Sequence, residues 1–465
     1  MPDEELEGQT FVCSYLVVPE NRMQPNGQTI RLMVAEIFST SETPEPDPVI
    51  YLSGGPGQNA VGEAAGWISA PFLGNRDLIL FDQRGTGNSE PTLNCPELEE
   101  MDDNTTEIEA TQACYDRLTS EGINLSAYNS AESAADVNDL RLALGYEQVN
   151  LFGISYGTRL ALTVVRDYPE GIRSVILDSV YPPVLNALET QAGDALRALD
   201  VLFDACEVDP SCLMAYPYLD TMFIDTVDRL NTAPATYQWE NPDTGEMEEV
   251  TLSGNDLLST VVQALYNADA IPYLPLVIAE VADGNYAIYD DLVSEALYTA
   301  EDDEAAIEES DEPGEDISDS EGAYYSVECH EEFPFNNRET AIANAEIILP
   351  RLRDGLLEAS EVVFDVCNFW QTGTVDEIET APVISDIPTL ILTGEYDPIT
   401  PPASGQLAAE TLSNSFYFEF PGVGHDVFDS SPCPADMAAA FVDDPYTEPD
   451  ATCMNEIMSP EFVLP

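Results

Sequence analysis

Short apolar runs alternate with helical periodicity up to Tyr181-Pro182-Pro183. The runs are Val49 to Leu52, Leu78 to Phe81, Val149 to Phe152 and Val175 to Leu177. Runs of this length with no polar alternation read as strands buried on both faces, and helices between them imply a mostly parallel sheet covered on both sides. Thr10 to Pro19 and Gln28 to Ile37 read as an opening pair of strands, joined through the turn signals Pro19-Glu20-Asn21 and Pro25-Asn26-Gly27. Ahead of the third apolar run, Ala131 to Leu144 carries Ala134, Val137, Leu140 and Leu144 on one face and stops at Gly145. That spacing predicts a helix.

After Pro183 the alternation stops, and sheet-like order resumes only near Ile387-Pro388-Thr389. The stretch between has helical periodicity, as in Leu257 to Tyr266 and Ala341 to Leu356. It predicts a mainly helical cap inserted into the core, able to roof a site and select substrates. The expected division is 1–183 for the first part of the core, 184–380 for the cap and 381–465 for the second part. Inside the cap, Glu301 to Glu321 is almost continuously acidic, contains Pro313-Gly314 and has no aromatic residue. A solvated loop or disordered excursion is expected there. No stretch approaches the roughly twenty continuous apolar residues of a spanning helix, and 465 residues are enough to bury a large core.

Candidate chemistry enters at Gly153-Ile154-Ser155-Tyr156-Gly157, which leaves the strand run Gln148 to Phe152 and enters the helical pattern from Thr158 to Asp167. A serine on a sharp strand-to-helix turn, with glycine two before and two after, is how an α/β-hydrolase presents a nucleophile. The order must then be Ser, acid, His. Of the two histidines, His425 follows the aromatic run Phe416 to Phe420 and is the expected base. His330, in Cys329-His330-Glu331-Glu332, lies in the irregular stretch and reads as structural. Asp397 follows the apolar run Leu390-Ile391-Leu392-Thr393-Gly394 and is the expected acid, in preference to Glu395. Ser155 would attack an acyl carbonyl, His425 would take its proton and Asp397 would hold the imidazole. Two main-chain donors must receive the oxyanion: the Tyr156 amide, and one from Ser53-Gly54-Gly55-Pro56-Gly57, Gly55 first and Gly54 next.

Gly54-Gly55-Pro56-Gly57, Phe81-Asp82-Gln83-Arg84-Gly85-Thr86-Gly87-Asn88-Ser89 and Gly153-Ile154-Ser155-Tyr156-Gly157-Thr158 together resemble the proline iminopeptidase and tripeptidyl aminopeptidase family of serine α/β-hydrolases. The segments Gly394 to Pro402 and Gly422 to His425 are similar to that family's acid and histidine loops, so the resemblance covers nearly the whole chain. Ser53 stands where the family's first loop often begins with histidine, and the larger tripeptidyl aminopeptidase-like branch is the nearer likeness. The resemblance implies an α/β-hydrolase fold with an inserted cap and an exopeptidase that recognises a free α-amine. Glu328, Glu331 and Glu332 are the expected ligands for that ammonium. A carboxylesterase is the competing enzyme, and a non-catalytic binding module the competing class.

Charge changes the list of partners. Asp and Glu number 88 against 14 basic residues, for a formal net charge of −74, and lysine is absent. Nucleic acid and anionic membrane are excluded as partners by repulsion, leaving a small ester or peptide substrate. Nine cysteines pair by proximity as Cys95 with Cys114, Cys206 with Cys212 and Cys433 with Cys453, with Cys329 and Cys367 as a fourth pair and Cys13 left over. None has metal-ligand spacing with histidine, so neither metal nor cofactor is expected. Paired cysteines point to an oxidising compartment, extracellular or periplasmic. Met1-Pro2-Asp3-Glu4-Glu5 has no positive or apolar signal region, so an export signal, and with it a partner for Cys13, is expected to have been removed upstream. Self-repulsion of this size calls for screening, and at 1 M salt the Debye length falls to about 3 Å. The melting temperature is therefore expected to rise with added potassium or sodium chloride; a flat or falling series would contradict adaptation to salt.

Overall fold

The computed structural model describes residues 10–24, 26–102, 105–240, 247–286, 288–289, 318–348, 350–373 and 375–465. Its centre is an eight-stranded sheet. The strands are β1 (Phe11–Pro19), β2 (Thr29–Ile37), β3 (Val49–Leu52), β4 (Leu78–Phe81), β5 (Val149–Ile154) and β6 (Ile172–Asp178), completed by the two late strands Thr389–Gly394 and Ser415–Phe420. A two-stranded antiparallel ribbon, β7 (Ala235–Glu240) and β8 (Met247–Leu252), lies between them in sequence, so the late strands are β9 and β10. The order across the sheet is β1-β2-β4-β3-β5-β6-β9-β10. β1 and β2 run antiparallel to their neighbours, and from β4 to β10 every pairing is parallel. This is the mostly parallel α/β architecture that the alternating pattern predicts.

The strands are apolar on both sides because both faces are covered. β3, β4, β5 and β9 are buried along their whole length. On one face Tyr51, Trp67, Phe72, Phe152 and Phe428 pack ring against ring, with centroids 4.4 to 5.9 Å apart. Leu140, Leu160, Val164 and Leu177 fill the other face, supplied partly by the helices Ser130–Leu144 and Tyr156–Asp167. The first of these helices ends where the sequence stops it, with Gly145 in the left-handed conformation at φ 83°.

Between β6 and β9 the chain forms a helical insertion resembling a cap domain, including the helices Ala187–Val208, Leu219–Thr232, Gly254–Ala264, Leu274–Asp283 and Glu321–Glu331. The pattern from Ala341 to Leu356 forms two helices rather than one, Arg338–Ile348 and Arg353–Val366. Pro350 lies at the break, and a proline can neither donate to the preceding turn nor fit beside it. Of the acidic stretch 301–321, residues 301–317 lie outside the described residues. Residues 318–320 pair with the loop after β3: Asn59 N–H donates to Ser318 O at 3.0 Å, and Ser320 N–H to Gly57 O at 3.1 Å. Glu321 then opens a helix capped by Ser320.

All four cysteine pairs expected from the sequence are formed: Cys95–Cys114, Cys206–Cys212, Cys329–Cys367 and Cys433–Cys453. Cys13 lies on β1 outside these bridges. No helix among the described residues is long and apolar enough to cross a membrane.

Bare backbone meets bare backbone in the core between the Tyr156–Asp167 helix and β3. A Cβ on Gly157 would stand 1.9 Å from Leu52 O. Gly157→Ala is therefore expected to lower stability by about 2–3 kcal/mol, readable as a fall in melting temperature that Gly74→Ala, with open space around it and no positive φ, is not expected to match.

Candidate active site

Ser155 sits where β5 turns into the Tyr156–Asp167 helix, at φ 55° and ψ −124°. A non-glycine residue in the left-handed half of the map persists only where its surroundings over-determine it. Here they do. A Cβ on Gly153 would fall 2.3 Å from Gly157 O, so both flanking glycines are required by the tightness of the turn. Ser155 N–H donates to Asp178 O at 3.0 Å, and Thr158 Oγ1 donates back to Ser155 O at 2.6 Å. The Tyr156 amide opens the helix, where no intrahelical carbonyl lies four residues back.

The glycine loop after β3 lies directly against this turn. A Cβ on Gly54 would stand 3.3 Å from Ser155 Cβ, while Gly55 and Gly57 adopt φ of 96° and 122°. The loop is fastened from below. Ser53 Oγ donates to Gln58 O at 3.0 Å, and Gln83 Nε2 donates to Ser53 O at 3.1 Å. Asp82 accepts the Ala60 and Val61 amides at 2.9 and 2.8 Å. Arg84 makes a two-pronged pair with buried Asp136 at 2.8 and 2.9 Å. Asp82 and Gln83 thus hold the glycine loop in place, while Arg84 ties the segment to Asp136 and to the carbonyls of Glu20 and Ala127.

Asp397 is fully buried beyond the end of β9. Its Oδ1 accepts the Ile399 and Thr400 amides at 2.9 and 2.8 Å; its Oδ2 accepts Thr400 Oγ1 at 2.6 Å and faces His425 Nδ1 at 2.9 Å. Burial opposes ionisation, but the His425 charge and these hydrogen bonds outweigh it and hold the carboxyl below its ordinary value. For His425 burial acts to lower the pKa, and the Asp397 carboxylate, with Asp178 assisting, overcomes it and raises the imidazole above its ordinary 6.5. An Asp397 carboxylate at Nδ1 keeps the proton there and leaves Nε2 as the acceptor. Glu395 does other work: its Oε2 accepts the Gly422 amide at 2.9 Å and so fastens the start of the histidine loop. His330 is buried in the insertion, with Nδ1 3.0 Å from Thr372 O and Nε2 3.8 Å from Glu379.

Asp178, at the end of β6, escapes sequence reasoning. It is fully buried, and its carboxylate accepts the Val427 and Phe428 amides at 3.0 and 2.7 Å. Its neighbour Ser179 accepts the Asp426 amide at 2.9 Å. Since the Asp178 main-chain oxygen also receives Ser155 N–H, the serine turn and the histidine loop hang on one residue. Burial raises its carboxyl to about 7, against the pull of its two amides. The only signal in the sequence is a polar Asp178-Ser179 pair ending an apolar run.

The three insertion acids part company. Glu331 and Glu332 lie against buried Arg159 at 2.9 and 2.6 Å. Glu331 also accepts Ser130 N–H and Ser130 Oγ, the latter 2.8 Å from the Tyr156 hydroxyl, and Glu332 accepts the Ala187 amide. Glu328, equally buried, receives no hydrogen bond at its carboxyl among the described residues. Burial first, then Glu332 and Glu331, push it to about 8 despite Arg159. Its field reaches the phenols of Tyr156, Tyr181 and Tyr324.

Comparison with known proteins follows this layout. A family profile described as "alpha/beta hydrolase fold" matches residues 47–206, and one described as "TAP-like protein" matches residues 358–453. The chain is an α/β-hydrolase fold protein related to the proline iminopeptidase and tripeptidyl aminopeptidase-like serine hydrolases. It is similar to the serine protease Hip1 of Mycobacterium tuberculosis, at 23% identity over 93% of this chain and 85% of that protein. It is 29% identical to the tripeptidyl aminopeptidase of Streptomyces lividans over 39% of this chain and 37% of that one. Among solved structures, a proline iminopeptidase of Mycobacterium smegmatis is 14% identical, covering 93% of this chain and 99% of that one with a TM-score of 0.41. Family and fold point to a serine-hydrolase-type enzyme, and the two profiles span the segments that carry Ser155, Asp397 and His425.

To serve as the expected base His425 must be neutral, and its pKa is raised. The acidic limb of kcat/KM is therefore expected above pH 6.5 at low salt, with activity lost as pH falls through it. A limb below that value would show that Asp397 and Asp178 do not act on His425. Asp397→Asn is expected to lower kcat by about 10³–10⁴-fold by releasing the tautomer.

Proposed function

We propose that this chain is a serine aminopeptidase that releases N-terminal residues or short peptides through an acyl-enzyme. Ser155 Oγ attacks the scissile carbonyl as His425 Nε2 removes its proton; the imidazolium is stabilised by Asp397 and returns the proton to the departing amine. Water then repeats the sequence on the ester. The Tyr156 amide and a main-chain amide of the Gly54-Gly55 loop receive the oxyanion, which suits a loop pressed against the serine turn. The four disulfides favour an exported enzyme working in an oxidising compartment.

The observation that carries the peptidase reading over an esterase is Glu328. A carboxyl with no hydrogen-bond donor among the described residues, kept protonated first by burial and then by two neighbouring carboxylates, is stabilised in its ionised form by an entering ammonium. Glu331 and Glu332, being engaged with Arg159, serve this arrangement by fixing the helix and raising Glu328 rather than by binding substrate themselves.

Amino-acyl arylamides, their N-blocked counterparts and short acyl p-nitrophenyl esters separate the readings. Free-amine arylamides are expected to be the best of the three, and Glu328→Gln to raise their KM by about tenfold or more while sparing esters. Equal rates on blocked and free arylamides would favour the esterase. Fluorophosphonate labelling that is absent from the wild type, or unaltered in Ser155→Ala, would favour a binding module.

A further inference from the structure

Arg197 leaves the Ala187–Val208 helix of the insertion and reaches the acid loop. Its Nη1 donates to the main-chain carbonyl of Glu395 at 2.7 Å and its Nη2 to that of Asp397 at 2.5 Å. The use of this side chain is unusual for this protein. Of the 14 basic residues, all arginine, only Arg141, Arg197 and Arg229 are in no ion pair among the described residues. Arg141 braces the turn after its own helix, and Arg229 the end of the Leu274–Asp283 helix. Arg197 alone meets the candidate acid. It is partly buried, and its Nε has no hydrogen-bond partner among the described residues. With Asp and Glu so abundant, a desolvated guanidinium committed to two carbonyls calls for a reason.

The insertion touches the other member of the pair as well. His425 N–H donates to Tyr266 O at 3.0 Å, and the Tyr266 ring lies 4.8 Å from the imidazole. Gly424 has no room for a side chain, since a Cβ would come within 2.1 Å of Leu265 O. A Cβ on Gly394 would in turn fall 1.8 Å from Gly424 O. Insertion, histidine loop and acid strand are therefore stacked backbone on backbone.

We propose that Arg197 is a positioning residue, which fixes the Glu395–Asp397 turn from the insertion so that the Asp397 carboxylate meets His425, and sets a partly buried cation beside that pair. This rests on the Asp397–His425 reading given above. A guanidinium presents a rigid planar fork to two carbonyls, which an ammonium cannot copy, although it keeps the charge. Position and charge are thus separable. The titrating and charged groups around His425 are Asp397 and Asp178, with the Tyr266 phenol against its ring; around Arg197 they are Asp397, Asp194, Glu419 and Glu395. All the acids among them favour imidazolium, and Arg197 opposes it.

The test measures kcat, KM and the pH dependence of Arg197→Ala and Arg197→Lys on a free-amine arylamide, with melting temperatures alongside. Arg197→Ala is expected to lose kcat by about tenfold or more with little change in KM, to move its acidic limb up by about half a pH unit, and to regain activity in added guanidinium. Arg197→Lys is expected to keep the wild-type limb and still lose kcat. Should Arg197→Ala fail to fold, the lysine variant decides. Lowered kcat at an unmoved limb supports the proposal; wild-type kcat overturns it. A folded Arg197→Ala with wild-type kcat and limb, or one changed in KM alone, also overturns it. Failure of the underlying reading is a separate result: wild-type enzyme unlabelled by fluorophosphonate, or His425→Ala labelled at the wild-type rate.

Discussion

Asp178 is the constraint on which the site depends. A carboxylate at the end of a central strand takes two amides of the histidine loop, and its own carbonyl takes the amide of the serine. The cost of burying it is visible in its raised pKa, which the two amides reduce but do not cancel. Such a residue is retained for what it orients. Amides that no regular element would satisfy acquire an acceptor, and the serine turn and a histidine loop that follows it far along the chain are drawn to the carboxyl ends of the strands.

A second constraint is the close approach of bare backbone. Gly157 lies against β3, Gly394 against Gly424, and Gly424 against the insertion. Each contact removes a side chain so that a loop can reach its place. This also explains how so acidic a chain keeps buried carboxylates. Asp136 and Glu331 are paired with arginine, whereas Asp82, Asp178 and Asp397 are held by amides and, for Asp397, a histidine. With so few cations available, peptide dipoles supply much of the stabilisation that charge supplies elsewhere.

What could be read from sequence was what the chain states locally. The Ser155 turn announces itself because its glycines are two residues away, and Asp397 and His425 because each follows an apolar strand. The disulfide pairs were also legible, three of them within 20 residues. Asp178, Arg197 and Tyr266 were not, because their partners are distant in sequence and no spacing rule links them. Glu331 and Glu332 looked like ligands for an amine because any acid in the insertion does; only the position of Arg159, from the other side of the fold, gives them a different task. Pro350 was in plain view, and its interruption of the 341–356 pattern follows from a rule that periodicity alone ignores.

The insertion's apolar interior extends into the loops beneath it. One cluster joins Leu199, Phe223, Val261 and Trp370 of the insertion to Leu93, Cys95 and Tyr128 of the loops beneath it. A boundary drawn in sequence at such a place is not a boundary in free energy. Excising the helices would expose Leu93, Cys95 and Tyr128 along with their own apolar faces, whereas the two clusters on the faces of the sheet draw no residue from the insertion's helices among the described residues. A change in the insertion is thereby felt first in the loops under it, while the packing of the sheet, closed by its own helices, is left to carry the strands unaided.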